Sequence, residues 1–495
     1  MAFKAHKEFF DASVVPGMHS TVGGFRKERI MTSNRSGCLM RRGAGIGLLI
    51  LAACLFYAGW SKAAETEGSV TFAKDIAPIF QEKCEGCHHP GTAAPMSLST
   101  YKEARPWAKS IREQVVTRNM PPWHIDRRVG IQRFQNDRSL TDEQISAIVR
   151  WVDSGAPLGD IKDLPPPKQW ADNEWQLAKI FGRPPDLVLN SGDYTMPAQG
   201  VDVFIRSVTD MPLTEPRWVR AVELRPGTVA GRKIMHHADV GPILKEKSIG
   251  VGGANPAGAN AADNSNTGDD GPGLLMDYAI GRSYDIYRPN TGKLFSPGTR
   301  LCWDIHFHAV GEQIRTHAEL AVYFYPKGET PKYRTRNVVL PAVSDSFDIP
   351  PNSIAVHQGF NVLRQPARIE SFEAHMHLRG KAMEVKAILP DGTIKMLSYV
   401  NNYNPNWGNS YIYADDVAPV LPKGTIINVI AWHDNTAGNK RNPDPNQWVG
   451  WGQRAIDEMA SAWLNVTDIS EEDYQRWVAE KTPTRTATNA SRPTQ

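Results

Sequence analysis

Cysteine is scarce, five in 495 residues. So few thiols exclude a fold stapled by disulfides, and stability must come from packing or bound metal. A basic excess is also missing: 56 Lys/Arg stand against 53 Asp/Glu, and residues 1–63 hold nine of those bases against three acids, leaving the rest near −3. With no basic patch, composition excludes nucleic acid as the partner. Helix-period apolar runs are absent from residue 186 to about 452. In their place, short β-branched and aromatic runs are divided by turns at Pro226, Pro297, Pro390 and Pro422, which is the pattern of β-sandwich packing. The length excludes a single core and implies about three domains. One stretch, 250–273, is rich in Gly, Ala, Asn and Asp and is expected to be a surface insertion.

What is present at the front is an export pattern. Met40, Arg41 and Arg42 precede GAGIGLLILAACLFYAG, and Ser61 to Ala63 read SKA, with small residues where signal peptidase needs them. Residues 1–63 therefore read as an N-terminal extension and signal peptide cleaved after Ala63, giving a periplasmic or secreted protein. An uncleaved run would make it a membrane anchor. Met31 and Met40 are alternative starts. Cys54 ends LAAC, but the apolar residues beyond it argue against lipoprotein processing. Cys38 and Cys54 fall in the removed segment; Cys84, Cys87 and Cys302 remain.

Residues 84–88 read CEGCH. Two thiols, Cys84 and Cys87, with His88 adjacent form the attachment pattern of covalently bound haem c: the thiols take the vinyl groups and the imidazole the iron. A structural zinc would need a second ligand pair nearby, and a redox CxxC would not need the histidine. Phe72, Ile76, Ile79 and Phe80 make a helical stripe before the motif. Thr141 to Gln144 is a capping box opening a second helix, with Ile145, Ile148, Val149 and Val152 on one face. Residues 70–157 are thus expected to be a small all-α cytochrome c domain, with Met120 in NMPPW as sixth ligand and Met96 as the competitor. His89 and His124 read as surface residues. Residues 158–185, with prolines at 165–167 and 184–185, read as a stiff polar linker.

Six of the fourteen histidines lie in three knots. His236 and His237 are adjacent. In RLCWDIHFHAVG, alternation sends Leu301, Trp303, Ile305 and Phe307 to one face and Cys302, Asp304, His306 and His308 to the other. His375 and His377 share one face of a strand in SFEAHMHLRG. Buried neutral imidazoles need hydrogen-bond partners or a metal. Taken in order, HH, the HF strand, HMHLRGK, WHDNT and WGQRAIDEM resemble the copper type II, ascorbate-dependent monooxygenases, the family of peptide-amidating and dopamine-hydroxylating enzymes. The resemblance covers about 186–465 and is closest to bacterial members, here with a fused N-terminal cytochrome c domain.

The resemblance implies two all-β, jelly-roll-like copper domains, 186–345 and 346–465, followed by a polar tail at 466–495. It implies two copper ions: His236, His237 and His306 on the electron-transferring one, and His375, His377 and Met459 on the oxygen-activating one. Imidazoles suit both copper oxidation states, and a thioether favours Cu(I). Taken alone, Met459 on a helical stripe would count as core. His308 and His433 read as neighbours of ligands, and His317 and His357 as surface residues. The disulfides of animal members are missing. Glu373 stands where peptide-amidating members place arginine, and Trp463 where they place tyrosine, so a glycine-extended peptide is not the expected substrate. Asp304 stands where some relatives carry glutamine.

The implied activity is hydroxylation of a C–H bond in a small organic substrate by O2, with electrons from ascorbate or a periplasmic carrier arriving through the haem domain. The alternative is a copper–haem electron-transfer protein, or a dehydrogenase passing electrons outward to a periplasmic acceptor.

Overall fold

Stripes of period 3.6 before residue 157 become short helices, and alternating runs after 186 become strands, so the chain is mostly β-sheet with few helices. The computed structural model describes residues 69–92, 94–170, 174–243, 274–343, 346–452 and 454–481. The export pattern and the 250–273 stretch lie outside them. Among the described residues, no helix is long and apolar enough to cross a membrane.

The helical part opens with a wide turn, Phe72–Ile76, leading into Ala77–Lys83, and continues through Tyr101–Ala104, Ala108–Val116 and Asp142–Asp153. The expected capping box is formed: Thr141 Oγ1 accepts from Gln144 N at 3.2 Å, and Gln144 Oε1 accepts from Thr141 N at 3.0 Å. Phe72, Phe80 and Trp151 pack ring to ring in its core, all fully buried. This stretch is not wholly helical, however. Ile125–Gly130 is a strand, antiparallel to Ile394–Val400, with Ile125 opposite Val400. Trp123 and Ile125 join a β core, and Asn136 bonds the backbone of Ser410 (2.7 Å) and Ile412 (3.0 Å). The cause is a sheet edge that would otherwise show unpaired N–H and C=O groups to water.

Two β cores follow. The first lies between a four-stranded sheet, in the order Val203–Asp210, Arg300–Phe307, Met235–Pro242, Met276–Ala279, and one end of a ten-stranded sheet. The second lies between the other end of that long sheet and a five-stranded one, in the order Ile125–Gly130, Ile394–Val400, Gly380–Ile388, Ile426–Asp434, Ile354–Val362. Tyr333–Pro341 joins them: it runs antiparallel to Ser461–Asp468, pairs in parallel with Thr291–Phe295, and gives Val338 and Leu340 to the second core.

Two segments read from sequence as linker and tail are partly docked helices. Gln176–Phe181 buries Leu177 against Ala221, Ala321 and Tyr323. The Glu223 carboxylate caps it, accepting from Gln176 N (2.9 Å) and Leu177 N (2.8 Å). Glu471–Lys481 starts where Ser470 Oγ accepts from Asp473 N (3.1 Å), and Trp477 packs edge-on against Tyr333. The capping serine and acidic first turn were visible in the sequence.

Lys293, in the Thr291–Phe295 strand, is 1% exposed, and its ammonium donates to the Leu274 carbonyl. Burial pushes its pKa from 10.5 down to about 7, against the pull of Asp285. The unfolded chain therefore binds the extra proton between pH 7 and 10.5, and stability rises with pH across that window. Relative to Lys293→Met, the parent should gain about 3 kcal/mol between pH 7 and 9.5 in denaturant unfolding. The variant should be the more stable of the two at pH 7.

Candidate metal centres

Adjacent residues on a regular strand point to opposite faces, so His236 and His237 reach one point only because the strand is irregular there. His306 lies opposite His237, but the next residue, Phe307, lies opposite Met235. The extra residue is a bulge, and it turns both imidazoles toward His306. Donor atoms of His236, His237 and His306 come within 4.8 Å of one another, the one such group of His, Cys, Asp or Glu among the described residues. The 300–307 strand alternates as expected, with Trp303, Ile305 and Phe307 in the core.

The Asp202 carboxylate accepts from His306 Nε2 at 3.0 Å, which leaves the Nδ1 lone pair bare. His306 Nδ1 and His236 Nδ1 are both buried without a partner. Burial first, then the neighbouring imidazoles, lowers His236 to about 4 and His237 to about 3; burial also lowers His306 against the pull of Asp202. Three neutral imidazoles, two of them with buried nitrogens that have no partner, fit a cation. Phe204 stacks on His306 at 4.5 Å. His308 stays outside the trio, 6.1 Å from His236 between ring centroids, and Asp304 pairs with Arg206 at 2.8 Å.

The second pair lies on the other β core. The strand stops at His375, so His377 is in the following turn rather than on the strand. The alternation nevertheless continues: Met376 is buried, and both histidines stay half-buried with rings 5.6 Å apart. The Tyr403 hydroxyl holds this geometry, accepting from Met376 N (3.1 Å) and donating to Met376 O (2.5 Å). Tyr403→Phe leaves both backbone groups unbonded in a buried place. It should cost about 1–3 kcal/mol of stability and weaken metal binding at His375/His377 roughly tenfold in equilibrium dialysis.

Met459 is not on a helix. It lies in an irregular segment two residues before Ser461, the residue opposite His375. Glu458 ties this segment to the histidine turn, its carboxylate accepting from His377 N (2.8 Å), Arg379 N (2.5 Å) and Met459 N (3.3 Å). Burial raises Glu458 to about 7. His377 Nδ1 donates to Asp457 O at 3.1 Å, the Arg454 backbone also bonds this ring, and Trp463 stacks on His375 at 4.5 Å. His433 is fully buried, donates from Nε2 to Met459 O (3.1 Å), and faces His357 at 5.3 Å. His357 packs against Phe347 rather than standing free, and His317 pairs with Asp193 at 2.8 Å.

Between the two sites lies a buried acidic seam that sequence reading missed. Asp239 and Asp277 are opposite in register, and Asp277 bonds both Asp239 and, from the other core, Glu373. Burial and the neighbouring carboxylates hold Asp239 and Glu373 well above the usual range. Arg282 pairs with Asp277 (2.7 Å) and Asp285 (2.9 Å). Glu373 is thus part of this seam, not a free carboxylate in a pocket. Trp407, also from the second half, comes within 6.3 Å of His236. The alternation of MHHADV, which sets Asp239 on the face of His237, was the available signal.

At CEGCH, tight turns continue the preceding helix: Cys84 N donates to Phe80 O (2.9 Å), and Cys87 N (3.1 Å) and His88 N (2.9 Å) donate to Cys84 O. The two thiols and His88 therefore lie within one turn of each other. Burial pushes Cys84 up to about 12 and raises Cys87. His88 Nδ1 donates to Met96 O at 3.0 Å, leaving Nε2 bare. Met96 packs on the helical core, while Met120 is half-buried at a cis Met120–Pro121 bond with its N–H on Gln114 O. Two imidazoles read as surface residues are buried: His89 stacks on Trp170 at 4.5 Å, and His124 is lowered to about 4, chiefly by burial. A cavity of about 810 Å³ opens beside the motif, lined among others by Gly86, His89, Arg138, Tyr278 and Gly281.

No family model matches the chain, and no curated protein does. Among solved structures, it is similar to the major capsid protein P2 from Bacteriophage PM2, at 11% identity over 57% of this chain and 97% of that one, TM-score 0.23. It is also similar to the infectious bursal disease virus VP2 subviral particle, at 13% identity over 58% and 73%, TM-score 0.17. At such TM-scores neither likeness carries an argument about this chain.

Proposed function

We propose that this chain is an exported, copper-dependent monooxygenase that hydroxylates a C–H bond of a small organic molecule with O2. The observation that carries the reading is the convergence of His236, His237 and His306 through a strand bulge, with buried, unbonded nitrogens on two of them. Those three residues would hold one copper ion; His375, His377 and Met459 would hold the other. Cys84, Cys87 and His88 would hold haem c, with Met120 the expected sixth ligand. When bound, the copper ions supply O2 activation and one-electron chemistry, and the haem a one-electron store fed by ascorbate or a periplasmic carrier.

The chain's own residues prepare these places. Burial keeps the imidazoles neutral, so no proton must leave before a cation binds. Backbone carbonyls at Asp457 and Met96 orient the rings of His377 and His88. Tyr403 and Glu458 hold the His375–Arg379 turn against Met459. Trp463 covers one face of His375 and restricts what can approach it.

The test is incubation of copper- and haem-loaded protein with a small-molecule extract under 18O2 and ascorbate, followed by mass spectrometry. One labelled oxygen atom in a product, absent with His375→Ala, is expected. Substrate-dependent haem reduction without O2, and no labelled product, would instead mean a dehydrogenase.

A further inference from the structure

The CEGCH motif approaches the first β core at the turn that follows Met276–Ala279. Met276–Ala279 ends in a tight turn whose tip is Ile280–Gly281, closed by Arg282 N donating to Ala279 O (2.8 Å) and Ala279 N to Arg282 O (3.2 Å). A Cβ built on Gly281 would lie 3.0 Å from Cys87 Sγ and 2.8 Å from Arg138 Nη1. The thiol therefore approaches bare backbone, and a side chain at the tip would press the sulfur back by a few tenths of an ångström. Gly281 also has φ +89°, the left-handed region where glycine is at ease.

The strand residue next to this tip reaches the metal-ligand candidates. Ala279 lies opposite His237, and Tyr278 opposite Ala238. From Cys87 Sγ to His237 the connection is one van der Waals contact, two residues of chain and one strand pairing. The 810 Å³ cavity opens on the motif's side of this turn, with Gly86, Arg138, Tyr278 and Gly281 in its wall.

We infer that the Ile280–Gly281 tip is the docking point that sets electron transfer between a haem on Cys84/Cys87 and the His236/His237/His306 cluster. This rests on the function proposed above and deepens it by naming the route. One electron leaves ferrous iron, which becomes ferric, and reduces one copper(II) at the three histidines to copper(I). Ascorbate or a periplasmic carrier returns the electron to the iron. Gly281 is a positioning residue: it touches the sulfur, and its lack of a side chain keeps the gap closed.

The experiment uses the full chain loaded with haem and copper, reduced and mixed anaerobically with a copper(II)-restoring oxidant in a stopped-flow instrument, following ferrous haem absorbance. In Gly281→Ala the methyl forces the thiol away, and copper-dependent haem oxidation should slow about tenfold or more, as small displacements do. Haem absorbance, haem midpoint potential and copper content should be unchanged. Gly392→Ala is the control: Gly392 has φ +84° and nothing within 4 Å of its Cβ position, so it carries the same backbone cost without the collision. It should oxidise at the parent rate. Arg138→Ala opens the same contact from the other side and should also slow the reaction, which keeps the test decisive should Gly281→Ala not fold. Parent rates in both Gly281→Ala and Arg138→Ala would overturn the route while leaving the function standing. No copper-dependent haem oxidation in the parent itself would overturn the route together with the internal donor.

Discussion

His306→Ala is expected to bind one copper ion fewer than the parent, with affinity at the first cluster weaker by more than about 100-fold, beyond the ~10–100-fold that loss of a partner behind a ligand costs. The side chain it removes contributes the third nitrogen, and the two on the bulged strand cannot rebuild the set: their positions are fixed by the pairing with Leu301–Phe307. The fold should survive. Trp303, Ile305 and Phe307 keep the strand in the core at no more than 1% exposure, and the lost pair to Asp202 is a partly exposed one worth about 0–1 kcal/mol. Unfolding should therefore move little while bound copper, counted by atomic absorption after dialysis, falls by one and turnover disappears. In the parent, copper should stay bound as pH falls to about 5, because His236 and His237 do not take protons until about 4 and 3. Imidazoles with an ordinary pKa near 6.5 would begin to compete for protons, and so to bind copper more weakly, over that same range. Unchanged copper in His306→Ala would end the assignment of this cluster.

What could be read beforehand was what depends on neighbours in sequence. The alternation of 301–308, the capping box at Thr141 and the two-faced spacing of His375, Met376 and His377 are local patterns, and each reappears in the structure. What could not be read depends on partners far along the chain. IDRRVG, at 125–130, has the charge of a loop and becomes a strand only because the edge at Ile394–Val400 accepts it. The bulge that lets His236 and His237 share a focus is a property of pairing with His306, seventy residues away, and has no signature in MHHADV itself. Gln176–Phe181 is too short to be stable alone and is helical because Glu223 caps it and Leu177 is buried.

The acidic seam follows the same logic. Asp239, Asp277 and Glu373 are ordinary carboxylates in sequence, on three strands from two cores. Only assembly puts Asp277 between the other two and gives Arg282 to it as counterion. A buried carboxyl that keeps its proton has a hydrogen bond to donate, so Asp239 and Glu373 bind to Asp277 instead of repelling it. The two cores are thereby held in register across the space between the histidine clusters. That is why Glu373, beside His375, serves the join.

Met459→Leu should separate metal chemistry from packing more sharply than any other single change. Leucine nearly conserves the volume, and such swaps usually cost less than about 1.5 kcal/mol even in a core. Here the side chain is only half-buried. The backbone at 459 is held independently of the sulfur, by Glu458 at its N–H and by His433 at its carbonyl. Leucine will therefore sit where methionine sat, and the thermal midpoint should be nearly unchanged. What it lacks is a soft donor for Cu(I) beside His375 and His377. Product formation should fall by more than about 100-fold, more than loss of a partner behind a ligand would cause, while copper at the first cluster stays bound. If Met459→Leu turns over at the parent rate with full copper, methionine there is packing, and the second centre must be completed by another side chain. His433 is the one to examine next, since its Nδ1 is buried without a partner and its Nε2 already contacts the 459 carbonyl.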